Sequence, residues 1–336
     1  MIQENARYTD SILMKTKSLS VGFPRKSGHL RLFQDLNLEI HAGELVCFMG
    51  ANGIGKSTLI RTLAGLHPPL AGSILLKESG DWTQLTDARP ASIAVVLTDK
   101  ITALNLSVLE LVVSGRYPYM GWSMALKDTD RKMVEQAIDA VKIGPLLNRK
   151  LSELSDGQMQ LVMITRALVQ DTPIILLDEP TAHLDLNNRV EIMNLLRQLA
   201  HTLQKGIVIA THELDLALQT TDCIWLASND QTVLKGIPED LVLNGSFDEI
   251  FQFKGFDLKT GKVFHKAWRN ISVAVSGSGH PFLWTKNALE RNGYSLDDQA
   301  PLRVMVTTQS GEPEWHIADK KFHSIQALLT VLQTNS

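Results

Sequence analysis

Three short stretches carry residue types that can act on a phosphate. The run "GANGIGKST" fits G-x-x-x-x-G-K-[ST], with Gly50, Gly55, Lys56 and Ser57 at the required positions. Its glycines let backbone N–H groups curl around phosphate oxygens, a helix opening near Lys56 points its positive end at them, and the Lys56 ammonium reaches the outer phosphates. Ser57 is then placed to ligate Mg²⁺. The run "TPIILLDEP" ends an apolar stretch on Asp178 and Glu179. A carboxylate at the carboxyl end of a buried strand beside such a cradle can hold Mg²⁺ through its waters, the role expected of Asp178. Glu179, one residue on, can orient or deprotonate an attacking water. The stretch "GIVIAT" ends at His212, which can donate to a γ-phosphate or hold the water in line; a lone histidine at a strand end is also an ordinary structural residue.

These groups need strands and helices to bring them together. The opening is β-rich: "SLSVGF" is followed by "LFQDLNLEIHAG", where Leu36, Leu38 and Ile40 alternate with Asn37 and Glu39. "ELVCFMG", "IILLD" and "GIVIAT" read as short buried strands. In "ELSDGQMQ" the pair Ser155 and Gln158 fits a capping box at the start of the helix that continues "MQLVMITRALV". Asp156 then sits in the first turn, favoured by the helix dipole, and Gly157 leaves the backbone open to close approach by a ligand. Leu106, Leu109, Val112 and Val113 have the spacing of an amphipathic helix, followed by "GRYPYMGW". From about Gly255 the pattern reads strand, helix, strand, strand, helix, which predicts a small α+β domain. His265, His280, His316 and His323 fall in that region, and their spacing matches no metal-ligand motif.

Composition narrows the classes. With 336 residues, 44% hydrophobic and 21% charged, the chain can fold as one large domain with an appendage or as two domains. A formal net charge of -3 supplies no basic field for nucleic acid or an anionic membrane surface. No run of about 18 apolar residues occurs, so any membrane link is expected to go through a partner. The N-terminus, "MIQENARYTDSILMKTK", lacks the basic start and apolar middle of a signal peptide, which predicts a chain kept in the cytosol. Cys47 and Cys223 stand alone in apolar runs, as reduced buried thiols do.

"GANGIGKST", "LSDGQ", "IILLDEP", "HLD" and "THE" stand in the order and approximate spacing of the ATP-binding cassette family, and over residues 15 to 245 the chain resembles the ATPase subunits of ABC transporters. The resemblance implies an α/β fold: a P-loop NTPase (RecA-like) core with an antiparallel β subdomain and a helical signature-motif subdomain over about 105–165. The cassette would span 1–250, and the α+β domain 255–336 would follow. It implies ATP and Mg²⁺ as ligands, and a head-to-tail dimer of two copies with ATP sandwiched between them. The cradle of one copy (Gly50, Asn52, Gly53, Gly55, Lys56, Ser57, Thr58) would face the signature turn of the other (Ser155, Gly157, Gln158). Asp178 would be the Mg²⁺ carboxylate, Glu179 the catalytic base and His212 the switch histidine, with Asp185 on the loop that crosses the interface.

Phe23 in "SVGFPRK" matches the family's adenine-stacking aromatic, and a core role is its alternative. The family's usual glutamine at the strand leading into the helical subdomain is replaced by Thr98, followed by Asp99; both are shorter than Gln, which puts the Mg²⁺ contact there in doubt. "GRYPYMGW" resembles the permease-gripping segment of importers for iron chelates, haem and cobalamin. That implies transmembrane permease partners, indirectly a substrate-binding protein, and a place on the cytoplasmic face of the membrane. A soluble or regulatory cassette ATPase and the ATPase of an exporter are the alternatives. A P-loop kinase would explain the cradle but not "LSDGQ".

Overall fold

The computed structural model describes residues 12–25, 28–77, 80–81, 92–98, 105–120, 125–309 and 312–334. By its internal contacts the chain divides into two compact units, Met1–Gln252 and Phe253–Ser336.

In the first unit the alternating N-terminal segments form an antiparallel sheet. Its strands are β1 (Ile12–Arg25), β2 (Gly28–Leu36), β3 (Glu39–His41), β5 (Ala71–Leu76) and β6 (Gly80–Asp81), in the order β2-β1-β5-β6 with β3 also paired to β1. A second sheet is built from β4 (Leu45–Met49), β7 (Ile93–Val96), β8 (Ile174–Asp178), β9 (Gly206–Ala210), β10 (Cys223–Ala227) and β11 (Val233–Gly236). Its order is β11-β10-β4-β9-β8-β7, parallel throughout except for β11 at the edge.

Every residue of β4, β8 and β9 is buried, which explains why these segments read as unbroken apolar runs rather than alternating ones. Successive side chains still point to opposite faces. Leu45, Ile175, Leu177, Ile207 and Ile209 join one core, packed with the helical segments. Val46, Phe48, Ile174, Leu176 and Val208 join the other, shared with the antiparallel sheet. The same rule separates the thiols: Cys47 pairs with Ile224, one residue beyond Cys223, so the two cysteines face opposite ways and both are free. Burial pushes both thiols up, Cys223 to about 12.

The helices of this unit are α1 (Lys56–Leu63), α2 (Val108–Val113), α3 (Asp128–Val141), α4 (Asp156–Val169), α5 (Leu186–Leu203), α6 (Leu214–Thr220), α7 (Pro238–Leu243) and α8 (Ser246–Phe251). A 3₁₀ turn, Ser114–Tyr119, follows α2. The phase of α2 corrects the expected stripe. Ser107 caps the helix through a box with Glu110, so Leu106 precedes it, and Leu106 and Leu109 are exposed while Val108, Leu111 and Val112 are buried. The cap sets the rotation, and apolar spacing alone did not reveal it.

The second unit opens with a hairpin, β12 (Phe256–Asp257) and β13 (Lys262–Val263). Then follow β14 (Ser272–Ser276), α9 (Gly279–Arg291), β15 (Ser295–Leu296), β16 (Leu302–Gln309), β17 (Glu312–Ile317), β18 (Lys320–Phe322) and α10 (Ile325–Thr334). Its sheet order is β15-β14-β16-β17-β18. Leu289 of α9 and Leu328 and Leu332 of α10 share one core with Val304, Val306 and Trp315. Trp315 Nε1 donates to Thr285 Oγ1 at 2.6 Å, giving the buried indole a partner and fastening α9 to the sheet. Of the tail tryptophans only Trp315 is buried; Trp268 and Trp284 are exposed.

Candidate functional site

The parallel order β4-β9-β8 brings three sequence-distant stretches to one edge. Phe48 and Asp178 each pair with Ala210, so the carboxyl ends of the three strands lie level. The glycine-rich loop leaves β4 there, Asp178 ends β8, and His212 follows β9. Crevices outside the carboxyl ends of such strands are where α/β sheets bind ligands.

Gly55 is the N-cap of α1 at φ 114°, a left-handed conformation that a side chain would strain, and a Cβ there would lie 2.9 Å from Leu32. No side chain caps this helix end, so the first-turn N–H groups face the loop, the arrangement that binds anions. Gly53 also has positive φ, at 78°, and Asn52 and Gly53 lie exposed in the loop. Lys56 is buried, and its Nζ donates to the Gly50 carbonyl at 3.1 Å. Ser57 Oγ donates to Asp178 Oδ1 at 3.0 Å, so a hydroxyl and a buried carboxylate from separate elements meet. Thr58 sits half-buried beside them in α1.

Glu179 adopts φ 49°, held by its own N–H donating to the Ala210 carbonyl at 2.8 Å. Its carboxylate faces an ammonium and an imidazole. Lys56 Nζ lies 3.9 Å from Oε1, and His212 Nδ1 lies 2.8 Å from Oε2. A carboxylate partner makes Nδ1 the protonated nitrogen, leaving Nε2 for a second contact. Lys56, Ser57, Asp178, Glu179 and His212 therefore form one cluster.

The signature turn lies apart from it. Ser155 Oγ accepts from the Gln158 N–H at 3.3 Å, and the Ser155 N–H donates to Gln158 Oε1 at 3.2 Å, completing the expected capping box. Ser155 and Asp156 are exposed. No hydrogen bond or ion pair among the described residues joins this turn to the cradle. Gly157 differs from expectation: it is buried, and a Cβ would lie 3.0 Å from the Asn188 carboxamide, so its bareness admits a neighbouring helix of the same chain. Asn188 in turn donates to Asp185, the N-cap of α5, through both its N–H and its Nδ2 at 2.9 Å.

Two residues of this network escaped the sequence reading. Arg189 Nη1 donates to Glu213 Oε2 at 2.8 Å and its Nε to the Leu184 carbonyl at 2.7 Å, tying the Asp185 loop to the segment beside His212. The adjacency of Glu213 to His212 was the only available signal. Phe23 is exposed on β1 and belongs to no core; its ring centre lies 5.0 Å from that of His67. Thr98 is exposed just beyond β7. Asp99 and Trp122 lie outside the described residues. In the 3₁₀ turn, Arg116 Nε donates to Asp130 Oδ1 at 2.9 Å and its Nη1 to the Val169 carbonyl at 3.1 Å, while Tyr119 Oη donates to the Gln170 carbonyl at 2.8 Å. "GRYPY" is thus fastened to the far end of the signature helix α4.

Residues 33–182 match the ABC transporter family, and residues 270–333 match the iron ABC transporter C-terminal domain. The chain is 36% identical over 241 residues to the petrobactin import ATP-binding protein FpuD of Bacillus anthracis, covering 72% of this chain and 87% of that one. It is 33% identical over 261 residues to the cobalamin import ATP-binding protein BtuD of Halobacterium salinarum, covering 74% of this chain and 65% of that one. Among solved structures, a dimeric bacterial ABC transporter cassette is similar with a TM-score of 0.58 and 27% identity, over 67% of this chain and 99% of that chain. With the cradle, the strand-end carboxylates and the histidine on adjacent strands, and with relatives matched over most of their length, the chain belongs to the ATP-binding, ATP-hydrolysing subunits of the ABC transporter family.

Proposed function

We propose that this ATPase powers import of an iron–siderophore complex or a related metal chelate, working as a head-to-tail dimer against transmembrane permease subunits on the cytoplasmic face of the membrane. A substrate-binding protein would deliver the compound to the permease. The observation that carries the reading is the union, in one chain, of the Lys56–Glu179–His212 cluster with an iron-transporter C-terminal domain. The petrobactin and cobalamin import relatives support the same substrate class. Among the described residues no helix is long and apolar enough to cross a membrane, which fits attachment through a partner.

In the mechanism, the loop and the α1 N-terminus bind the ATP phosphates through backbone N–H groups, and Lys56 contributes charge to the outer ones. Phe23 offers a ring on which adenine can stack. Ser155 and the N–H groups after it, from the second copy, complete the contacts to the γ-phosphate. Glu179 takes the proton of the attacking water, and His212, tethered through Nδ1, keeps that carboxylate oriented and offers Nε2 to the phosphate. Ser57 Oγ and Asp178 Oδ1, hard oxygen donors 3.0 Å apart, suit Mg²⁺ and would hold it. Bound there it would neutralise charge on the phosphates.

The test is uptake. In cells lacking the chromosomal copy, the wild-type chain should restore accumulation of radiolabelled ferric siderophore and Lys56→Ala should not, with amino-acid uptake equal in both. Wild-type accumulation with Lys56→Ala would contradict the reading. Restored cobalamin but not ferric-siderophore uptake would move the substrate within the metal-chelate class.

A further inference from the structure

The C-terminal unit contains a cavity of about 900 Å³ between α9 and α10, bounded on a third side by the residues around β13. That volume suits a small organic ligand, since such sites run from about 300 to 1,000 Å³. Trp284 and Arg291, two turns apart on α9, share the lining face, and Ile325 and Leu329 of α10 oppose them with an apolar wall. Lys262 and His265 reach it from the β13 side.

The charge of this lining is one-sided. Lysine, histidine and arginine line the cavity, and among the described residues no aspartate or glutamate does. Within the unit that holds the cavity, Phe253–Ser336, ten Lys and Arg stand against seven Asp and Glu, and none of those seven acids lies in the lining. Lys262, His265 and Arg291 take part in no ion pair among the described residues. Trp284 is 66% exposed, a large apolar ring on the same cavity lining as the Arg291 guanidinium.

We propose that this cavity binds a small organic anion with a flat aromatic body. Arg291 takes the carboxylate through its planar fork, with Lys262 adding charge, while Trp284 stacks on the ring over the Ile325–Leu329 wall. The site is separate from the cassette's nucleotide cradle, and the proposal does not depend on which compound the ATPase helps to import.

Calorimetric titration of the full chain with 1-naphthoate tests it, with neutral 1-naphthamide as the control. Naphthoate should bind saturably with Kd below about 1 mM, and naphthamide at least about tenfold more weakly. Arg291→Gln or Trp284→Ala, both exposed positions whose folding is checked by thermal melting, should weaken naphthoate at least about tenfold. Phe23→Ala should leave it unchanged. Absence of saturable binding, equal affinity for naphthamide, indifference to both cavity variants, or dependence on Phe23 would each overturn the proposal.

Discussion

Glu179 stands in a left-handed backbone conformation, φ 49°, that costs a non-glycine residue of order 1–3 kcal/mol. The N–H bond to Ala210 enforces it, and the carboxylate is thereby held between Lys56 and His212. All three lie in motifs whose spacing singled them out in the sequence, and the structure brings their side chains together. The backbone strain, and the hydrogen bond from His212 that orients the carboxylate, depend on the pairing of β8 with β9 and left no local trace. Glu44 is a second residue whose state was not legible. Burial, with the nearby Asp222 charge, raises its carboxyl to about 7 although its Oε2 accepts the His41 N–H at 3.1 Å. The folded chain therefore holds a proton that the unfolded chain sheds above its ordinary value. The contribution of Glu44 to stability is fully present below about pH 4.5 and is lost as pH rises through about 7. Glu44→Gln keeps an acceptor and removes the titration. Its melting temperature should exceed wild type at pH 8 by about 2–4 °C for each of about 1–3 kcal/mol, and the gain should vanish near pH 4.5; an equal gain at both pH values would exclude this origin.

Among the elements, the parallel strands and the Ser155–Gln158 capping box were readable because burial on both faces and side-chain capping are written locally. What escaped depends on which elements become neighbours. The bare edge of Gly157 accommodates Asn188 of α5, and short strands such as β15 and β18 hold too few residues to display alternation. The 3₁₀ turn Ser114–Tyr119 belongs to the same class: its sequence resembled a permease-gripping segment but did not show that Arg116 is buried and bonded to both α3 and the end of α4. These bonds give α4 a rigid connection from the signature turn to the turn after α2. Arg116→Met should therefore lower ATP-driven substrate uptake roughly two- to thirtyfold while changing ATP turnover of the detergent-free chain much less. Parallel losses in both assays would show the arginine acting on the site instead of on transmission.

At the scale of the molecule, the proposed head-to-tail dimer would divide the ATP chemistry between two copies. The cradle, acids and histidine gather on one edge, while Ser155 and Asp156 stand exposed with no bond to that edge among the described residues. A complete γ-phosphate site thus calls for a second chain, in line with the dimeric cassette similar to this one. Asp156 lies in the first helical turn and is solvent-exposed, so its carboxylate is accommodated by the dipole without burial. The most direct test is Glu179→Gln, read by ATP turnover and by light-scattering mass with and without Mg²⁺-ATP. Turnover should fall at least about a hundredfold, and ATP should convert the variant to a stable dimer. Wild-type turnover, or a mass that stays monomeric with ATP bound, would contradict the account.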